Sequence, residues 1–314
     1  MRKQARQRAL FRFSLSAMSI DIITSQWRDN LRAAMLVMLM ALVMVINDVL
    51  MKQVLVYMPI FQSLFVRGLI LTPLIFGLLF WRGELRTPTT AGEKFIIFLR
   101  CICEAVLAYT ILVALANMPL ANVIIILQAV PFAMTVAAAF YLKEIVRWRR
   151  WVSVLVGFVG VLIIVGPGTE GFNLYSLYAV GAVFIFVLRD MLVRKLPKRI
   201  SSTFIAAPMV VAVMMTGAVM VPFTGWVDVT IWHIFMLTGA GIMITSSYLL
   251  SIMIMRVGEV SFVSPFRYSG IVWAMIAGIV IFGEIPDARI IIGAIIIMAA
   301  GIYALHREHV SRAK

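Results

Sequence analysis

Apolar residues in this chain come in blocks of about twenty, interrupted at near-regular intervals by proline, glycine or charge. The blocks predict ten spans, near 31–53, 59–81, 93–116, 120–142, 149–166, 173–194, 201–224, 231–255, 259–282 and 286–306. The interruptions carry turn or charge signals: Met58-Pro59, Arg82-Gly83-Glu84, Met118-Pro119, Lys143-Glu144, Gly166-Pro167-Gly168, Leu196-Pro197 and Ile285-Pro286. About 20 residues at a rise of about 1.5 Å each cross a hydrocarbon core of about 30 Å. Hydrocarbon offers no partner to a backbone amide, so each span is predicted to be a helix. The fold class that follows is all-α: a polytopic integral membrane protein with ten transmembrane helices.

Composition narrows the picture in the same direction. Of the 314 residues, 63% are hydrophobic and 13% charged, against roughly 45–50% and about 25% in soluble domains. A soluble protein of this size could not hide so much apolar surface. A disordered chain, a collagen-like chain and a disulfide-stapled secreted domain are excluded as well. Cys101 and Cys103 fall inside one apolar run; two residues apart on a helix, they face different directions and cannot bridge each other. The 21 methionines are expected to fill a deformable interior rather than to bind metal.

The formal net charge is +14, and its placement gives it meaning. With the N-terminus inside, the inner segments and the span ends adjoining them hold 22 of the 28 lysines and arginines, and the outer side holds one, Arg289, in the first turn of the tenth span. The other five, Lys52, Arg67, Arg100, Arg189 and Arg267, lie within spans. Such asymmetry predicts that both termini are cytoplasmic. The basic balance therefore points to orientation and to anionic lipid, not to nucleic acid. Residues 1–30 lack a clean apolar core followed by a small-residue cleavage site, so they read as a basic cytoplasmic tail, not a cleaved signal. Residues 307–314 form the second tail.

The two halves, 31–168 and 169–306, resemble each other. DVLMK from Asp48 ends the first span and DMLVRK from Asp190 ends the sixth; YLKE closes the fourth at Glu144 and IFGE closes the ninth at Glu284. Arg149 and Arg289 follow those glutamates at one spacing. Five is odd, so the second copy must enter the membrane from the opposite side. That predicts two inverted five-helix repeats, which can rock about a shared midplane site.

The same stretches resemble a known family. ALANMPLANVIIILQAVPFAMTVAAAFYLKE from Ala114, with RRW and GFVGVLIIVGPG after it, and GEVSFVSPFRYSGIVWAMIAGIVIFGEIPD from Gly258, with IIGAIIIMAAGIYALHRE, look like the drug/metabolite transporter superfamily. The similarity is to its bacterial ten-helix type built of two EamA repeats, over roughly residues 33–308, in a branch with carriers of S-adenosylmethionine and riboflavin. It implies a multi-pass protein of the bacterial inner membrane, a small-molecule solute as partner, no cofactor, and a monomer or homodimer. One departure stands out. Pro131 precedes Glu144 by 13 residues and Pro265 precedes Glu284 by 19, so the two halves should bend at different depths.

An ionisable group deep in the bilayer costs about 2.5–3.5 kcal/mol on insertion scales and needs a partner or a watery cavity. Depth sorts the candidates. Arg189, Asp190 and Arg100 lie nearer the inner ends of their spans, where the arginines are expected to snorkel. Asp48 and Lys52, at i, i+4, are expected to pair with each other as an ion pair or gate. Arg67, Glu104 and Arg267 lie deeper, and Tyr268 follows Arg267; these form the expected polar centre, with Arg67 and Glu104 as a pair. Asn117, Asn122, Gln128, Tyr248 and Trp273 are candidates for substrate contacts. Glu104 is the candidate proton-exchanging group, with Asp48 and Lys52 at a coupling site or gate. Two deep arginines against one glutamate favour an anionic or zwitterionic solute. Glu144 and Glu284, at helix ends where the dipole disfavours an acid, read as structural joints, the latter with Arg289 nearby.

Rival classes find less support. An intramembrane enzyme would need a motif such as H-E-x-x-H or a serine with a base, and His233, His306 and His309 lie at membrane edges or in a tail. A channel would present a symmetric ring of carbonyls or charges. With no P-loop, ATP is not a direct energy source. The expectation is a secondary transporter of a small organic metabolite such as S-adenosylmethionine, riboflavin or an amino-acid-like solute, working by alternating access. The alternative is an exporter of amphipathic drugs or metabolites by proton antiport.

Overall fold

A computed structural model describes residues 31–84, 89–141, 143, 146–167, 173–197, 199–257 and 264–312. Among them regular structure is helical throughout. The helices are α1 (Leu31–Leu55), α2 (Ile60–Arg82), α3 (Ala91–Asn117), α4 (Leu120–Leu127), α5 (Val130–Tyr141), α6 (Trp148–Val165), α7 (Ser176–Arg194), α8 (Ser202–Thr224), α9 (Ile231–Val257), α10 (Ser269–Phe282) and α11 (Ala288–Arg312). A 3-10 turn, Ser264–Tyr268, leads into α10. Since α4 with α5, and the turn with α10, each make one crossing (Leu120–Tyr141 and Pro265–Phe282), the helices compose ten spans.

The spans alternate in direction. One end carries the connections with Pro59, Pro119, Pro167 and Pro286, and we call it the proline end. The other carries Arg82, Lys94, Arg147, Arg149, Arg150, Arg194, Lys195 and Arg199 and is the basic end. No more than half of the apolar window of any of the eight long spans is buried, so the remaining apolar face must meet lipid. Exposed Trp81 and Trp148 ring the basic end; Trp226, Trp232 and Tyr57 ring the other, the interfacial position that amphipathic rings favour.

Span four breaks where its sequence says it should. Pro131 has no N–H for the Leu127 carbonyl and its ring crowds that oxygen. Accordingly α4 ends at Leu127, Gln128 and Ala129 form a turn, and Phe132 N–H bonds back to the Ala129 carbonyl at 3.0 Å. In span nine the described residues open on a 3-10 turn, Ser264–Tyr268, that contains Pro265 and leads into α10.

Packing between the halves runs through bare backbone. α2 lies along α8 and α6 along α11, while α4 faces α10 and α3 faces α7. Three of these pairs (α2 with α8, α6 with α11, α4 with α10) join a span to the one five later, running oppositely. A Cβ added to Gly217 would stand 2.6 Å from the Phe61 carbonyl oxygen, and one added to Gly293 would stand 2.9 Å from the Gly160 oxygen. Small residues permit this approach, which lipid-exposed helices use in place of a hydrophobic driving force. The main core, around Met51, Leu64, Leu115, Ile125, Phe132, Leu237, Ile271 and Ile297, joins both halves.

Candidate functional site

At the proline end, local chain geometry builds a clasp. Gly283 ends α10 in the left-handed region (φ 67°), which glycine enters without a Cβ clash. The chain turns back, Glu284 N–H bonds to the Gly278 carbonyl at 2.9 Å, and the glutamate side chain reaches across the helix end. Its carboxylate accepts the Leu120 N–H at 2.7 Å, the open N-terminus of α4, where an anion is favoured. Its other oxygen accepts Lys52 Nζ at 2.5 Å, and the same ammonium donates to the Met118 carbonyl at 2.5 Å over the Phe282 ring. The i, i+4 pairing expected of Lys52 with Asp48 is therefore replaced by a contact to the other half. Glu284 takes Lys52 rather than Arg289, whose guanidinium holds Asp287 at 3.0 Å. Glu144, the counterpart of Glu284 in the first half, lies outside the described residues.

Deeper in, charges from four helices form a chain. Asn47, buried on α1, donates to Asp48 Oδ1 at 2.9 Å and accepts from Arg67 Nη2 of α2 at 2.9 Å. Its amide thus bridges an acid and a base that do not touch. Arg67 and Asp48 each lie seven residues from the proline end of their helices, about 10 Å deep. Glu104, at the centre of α3, receives Arg189 Nη1 of α7 at 3.1 Å. Arg189 also holds Asp190 at 3.0 Å and lies over the Phe186 ring. The charges of Asp48 and Glu104 both act on Arg67, and those of Arg189, Glu104 and Asp190 act on Arg100. Arg67 and Glu104 are neighbours in one network, yet the direct pairing expected between them is not what forms. Arg189, expected at the headgroups, is the partner of Glu104.

The interruptions of spans four and nine meet. Gln128, in the break between α4 and α5, donates from Nε2 to the Arg267 carbonyl in the 3-10 turn at 3.2 Å. The Arg267 side chain itself is exposed. Tyr268 is buried, its ring seated on Gly301 of α11, where an added Cβ would stand 1.9 Å from Oη. Asn122 Oδ1 on α4, Ser269 Oγ and Trp273 Nε1 on α10, and Arg67 Nε on α2 are buried without a hydrogen-bond partner. Buried polar groups are rarely left unpaired, so an acceptor on α4 and donors on α10 and α2 are available to a solute or water. Asn117, at the exposed end of α3, donates from Nδ2 to the Val113 carbonyl at 2.8 Å, and its backbone carbonyl accepts Asn173 Nδ2 at 3.0 Å. The side chain of Tyr248 lies outside the described residues.

The described geometry therefore groups Asp48, Arg67 and Glu104 in one network and Gln128, Arg267 and Tyr268 in another, with Lys52 in the clasp. Sequence reasoning passed over Asn47, the bridge, whose one signal was its place beside Asp48. A separate groove of about 900 Å³ between α2, α3 and α8 is lined by Phe61, Phe98, Tyr109, Phe204 and Met220 among others; none of the predicted site residues lines it.

Comparison with known proteins agrees with this architecture. The model of the EamA-like transporter family matches residues 31–166 and 173–305. An S-adenosylmethionine uptake transporter of Rickettsia bellii is 29% identical over 204 residues, 62% of this chain and 67% of that protein. A riboflavin transporter of Vibrio cholerae is 32% identical over 187 residues, 57% of this chain and 60% of that protein. A solved crystal structure superposes on 90% of this chain and 99% of its own with a TM-score of 0.63 at 16% identity, a likeness of fold.

Proposed function

The chain belongs to the EamA-like transporter family, and from that premise we propose that it is a secondary carrier that moves a small organic metabolite across the bacterial inner membrane by alternating access. That it is a multi-pass membrane transporter of small metabolites follows from family and fold. The finer reading is a solute of anionic or zwitterionic character, such as S-adenosylmethionine, riboflavin or an amino-acid-like compound, with both termini in the cytoplasm. It treats the halves as inverted repeats and takes the bases Arg67 and Arg267 and the polar residues Gln128, Asn122 and Trp273 as solute contacts.

The observation that carries this reading is the junction of two interrupted spans, Gln128 to the Arg267 carbonyl at 3.2 Å, with unpartnered buried polar atoms on the same helices. Irregular backbone at membrane depth is tolerated where it faces protein or a water-filled cavity, and carriers place their sites there. Lys52, Glu284 and the α4 N-terminus close the proline end in this conformation. Opening that end requires Glu284 to release both partners. Asp48, bridged to Arg67 only through an amide, and Glu104 are the carboxylates available to carry a coupling proton.

Uptake into proteoliposomes tests the reading. Purified protein should accumulate labelled S-adenosylmethionine or riboflavin saturably, and an imposed pH gradient should change the rate. Arg67→Gln and Gln128→Ala should each raise KM, and Asp48→Asn should remove the dependence on the gradient. Preferential movement of lipophilic cations would overturn the solute class.

A further inference from the structure

We propose that the groove between α2, α3 and α8 is a binding site for a phospholipid with an anionic phosphate headgroup, its acyl chains along the groove and its phosphate at the basic end. The lining runs from Leu79 to Phe61 on α2, 18 residues and about 27 Å at helical rise, so the groove follows nearly the full hydrocarbon depth of about 30 Å. Phe98, Ile102 and Val106, one α3 face of the groove, are each more than two-fifths exposed. The groove is therefore open along its side, toward the same surroundings that the apolar outer faces require to be lipid. Of the charged and strongly polar side chains identified above, none reaches it; Cys101, Tyr109 and Thr216 are its polar contributors. A charged or zwitterionic metabolite would leave its polar groups unpaired there, whereas acyl chains would not.

The headgroup end has matching chemistry. Arg82 stands one turn beyond Leu79 on α2, and its Nη1 donates to Thr203 Oγ1 at 3.1 Å, beside the groove residue Phe204. Lys94 stands one turn before Phe98 on α3, exposed, and among the described residues its ammonium has no hydrogen bond or ion pair. Among the described residues at this end, Glu93 is engaged by Arg199 and Glu84 by Ser201. Two cations with capacity for a phosphate thus frame the mouth of a long apolar groove, and the proposal does not depend on which solute the protein carries.

Native mass spectrometry of the full-length protein, exchanged into detergent with phosphatidylglycerol or phosphatidylcholine, tests this directly. One phosphatidylglycerol should be retained in preference to phosphatidylcholine. Arg82→Gln and Lys94→Gln, both at exposed positions, should each reduce that preference about fivefold, the ratio matching about 1 kcal/mol per basic residue at an anionic surface. Ala105→Phe, which fills the middle of the groove, should abolish retention of either lipid. Equal retention of the two lipids, retention unchanged by Ala105→Phe, or displacement of the lipid by riboflavin or S-adenosylmethionine would each overturn the proposal.

Discussion

Arg189 on α7 donates to Glu104 on α3 at 3.1 Å, fastening span three to span six near the middle of the bundle. The same guanidinium holds Asp190, so one arginine serves two acids. Among the described residues, removing it leaves Glu104 without an ion-pair partner.

Arg189→Gln should therefore destabilise the detergent-purified protein more than Glu104→Gln does. Breaking a fully buried pair costs about 3–5 kcal/mol; with both side chains partly accessible, about 2 kcal/mol is expected for Arg189→Gln. Thermal unfolding of the two single variants and the double variant measures the coupling. Additive effects would mean that the pair does not hold the helices.

The clasp predicts a change of access. Lys52→Ala or Glu284→Gln should open the proline end, seen as faster labelling of a cysteine introduced at Asn122 by a membrane-impermeant thiol reagent. The swap Lys52→Glu with Glu284→Lys should not restore the protection, because an ammonium cannot accept the Leu120 N–H and a carboxylate cannot donate to the Met118 carbonyl. Unchanged labelling in the single variants would remove the clasp from any gating role.

Tyr268 and Gly301 make a steric prediction. An alanine at 301 would put its Cβ within 2.1 Å of the tyrosine ring carbon bearing the hydroxyl, and overpacking of this kind costs about 1–3 kcal/mol. Gly301→Ala should lower the thermal midpoint. Tyr268→Phe should not rescue it, because the ring remains, whereas Tyr268→Leu should.

Asp287 sets a pH dependence outside the spans. It caps α11 by accepting the Ile290 N–H at 2.9 Å, and that bond, followed by its pairing with Arg289, holds its carboxyl below the ordinary value of 3.8. A carboxylate with a depressed folded pKa stabilises the protein above its unfolded pKa and loses that contribution as pH falls through the folded one. Asp287→Ala should cost about 1 kcal/mol at neutral pH, as cap removals do. The difference from the parent should shrink below about pH 4, the ordinary aspartate range, in thermal melts taken across an acid series.

The spans were legible because a run of about twenty apolar residues has one stable form in hydrocarbon, and Pro131 announced the break at Leu127 by the hydrogen bond it cannot make. Partners were less legible. Lys52 has an acid four residues away on its own helix, and nothing in the local pattern favours Glu284, 232 residues on. Arg189 sits near the end of its own span, so depth along one helix suggests snorkelling; only the packing of α7 against α3 brings Glu104 within reach. Asn47 carries no charge and so escaped a search built on the cost of burying ions. Tyr268 and Gly301 are adjacent through α11, a contact that no periodicity encodes.

The α6–α11 crossing has a consequence for how the bundle can move. Ile164 fills the notch at Gly293, and Ile297 fills the notch at Gly160, each helix keyed into the other. Sliding by one residue would drive both isoleucines into backbone. The two helices are therefore keyed against sliding along each other's axes.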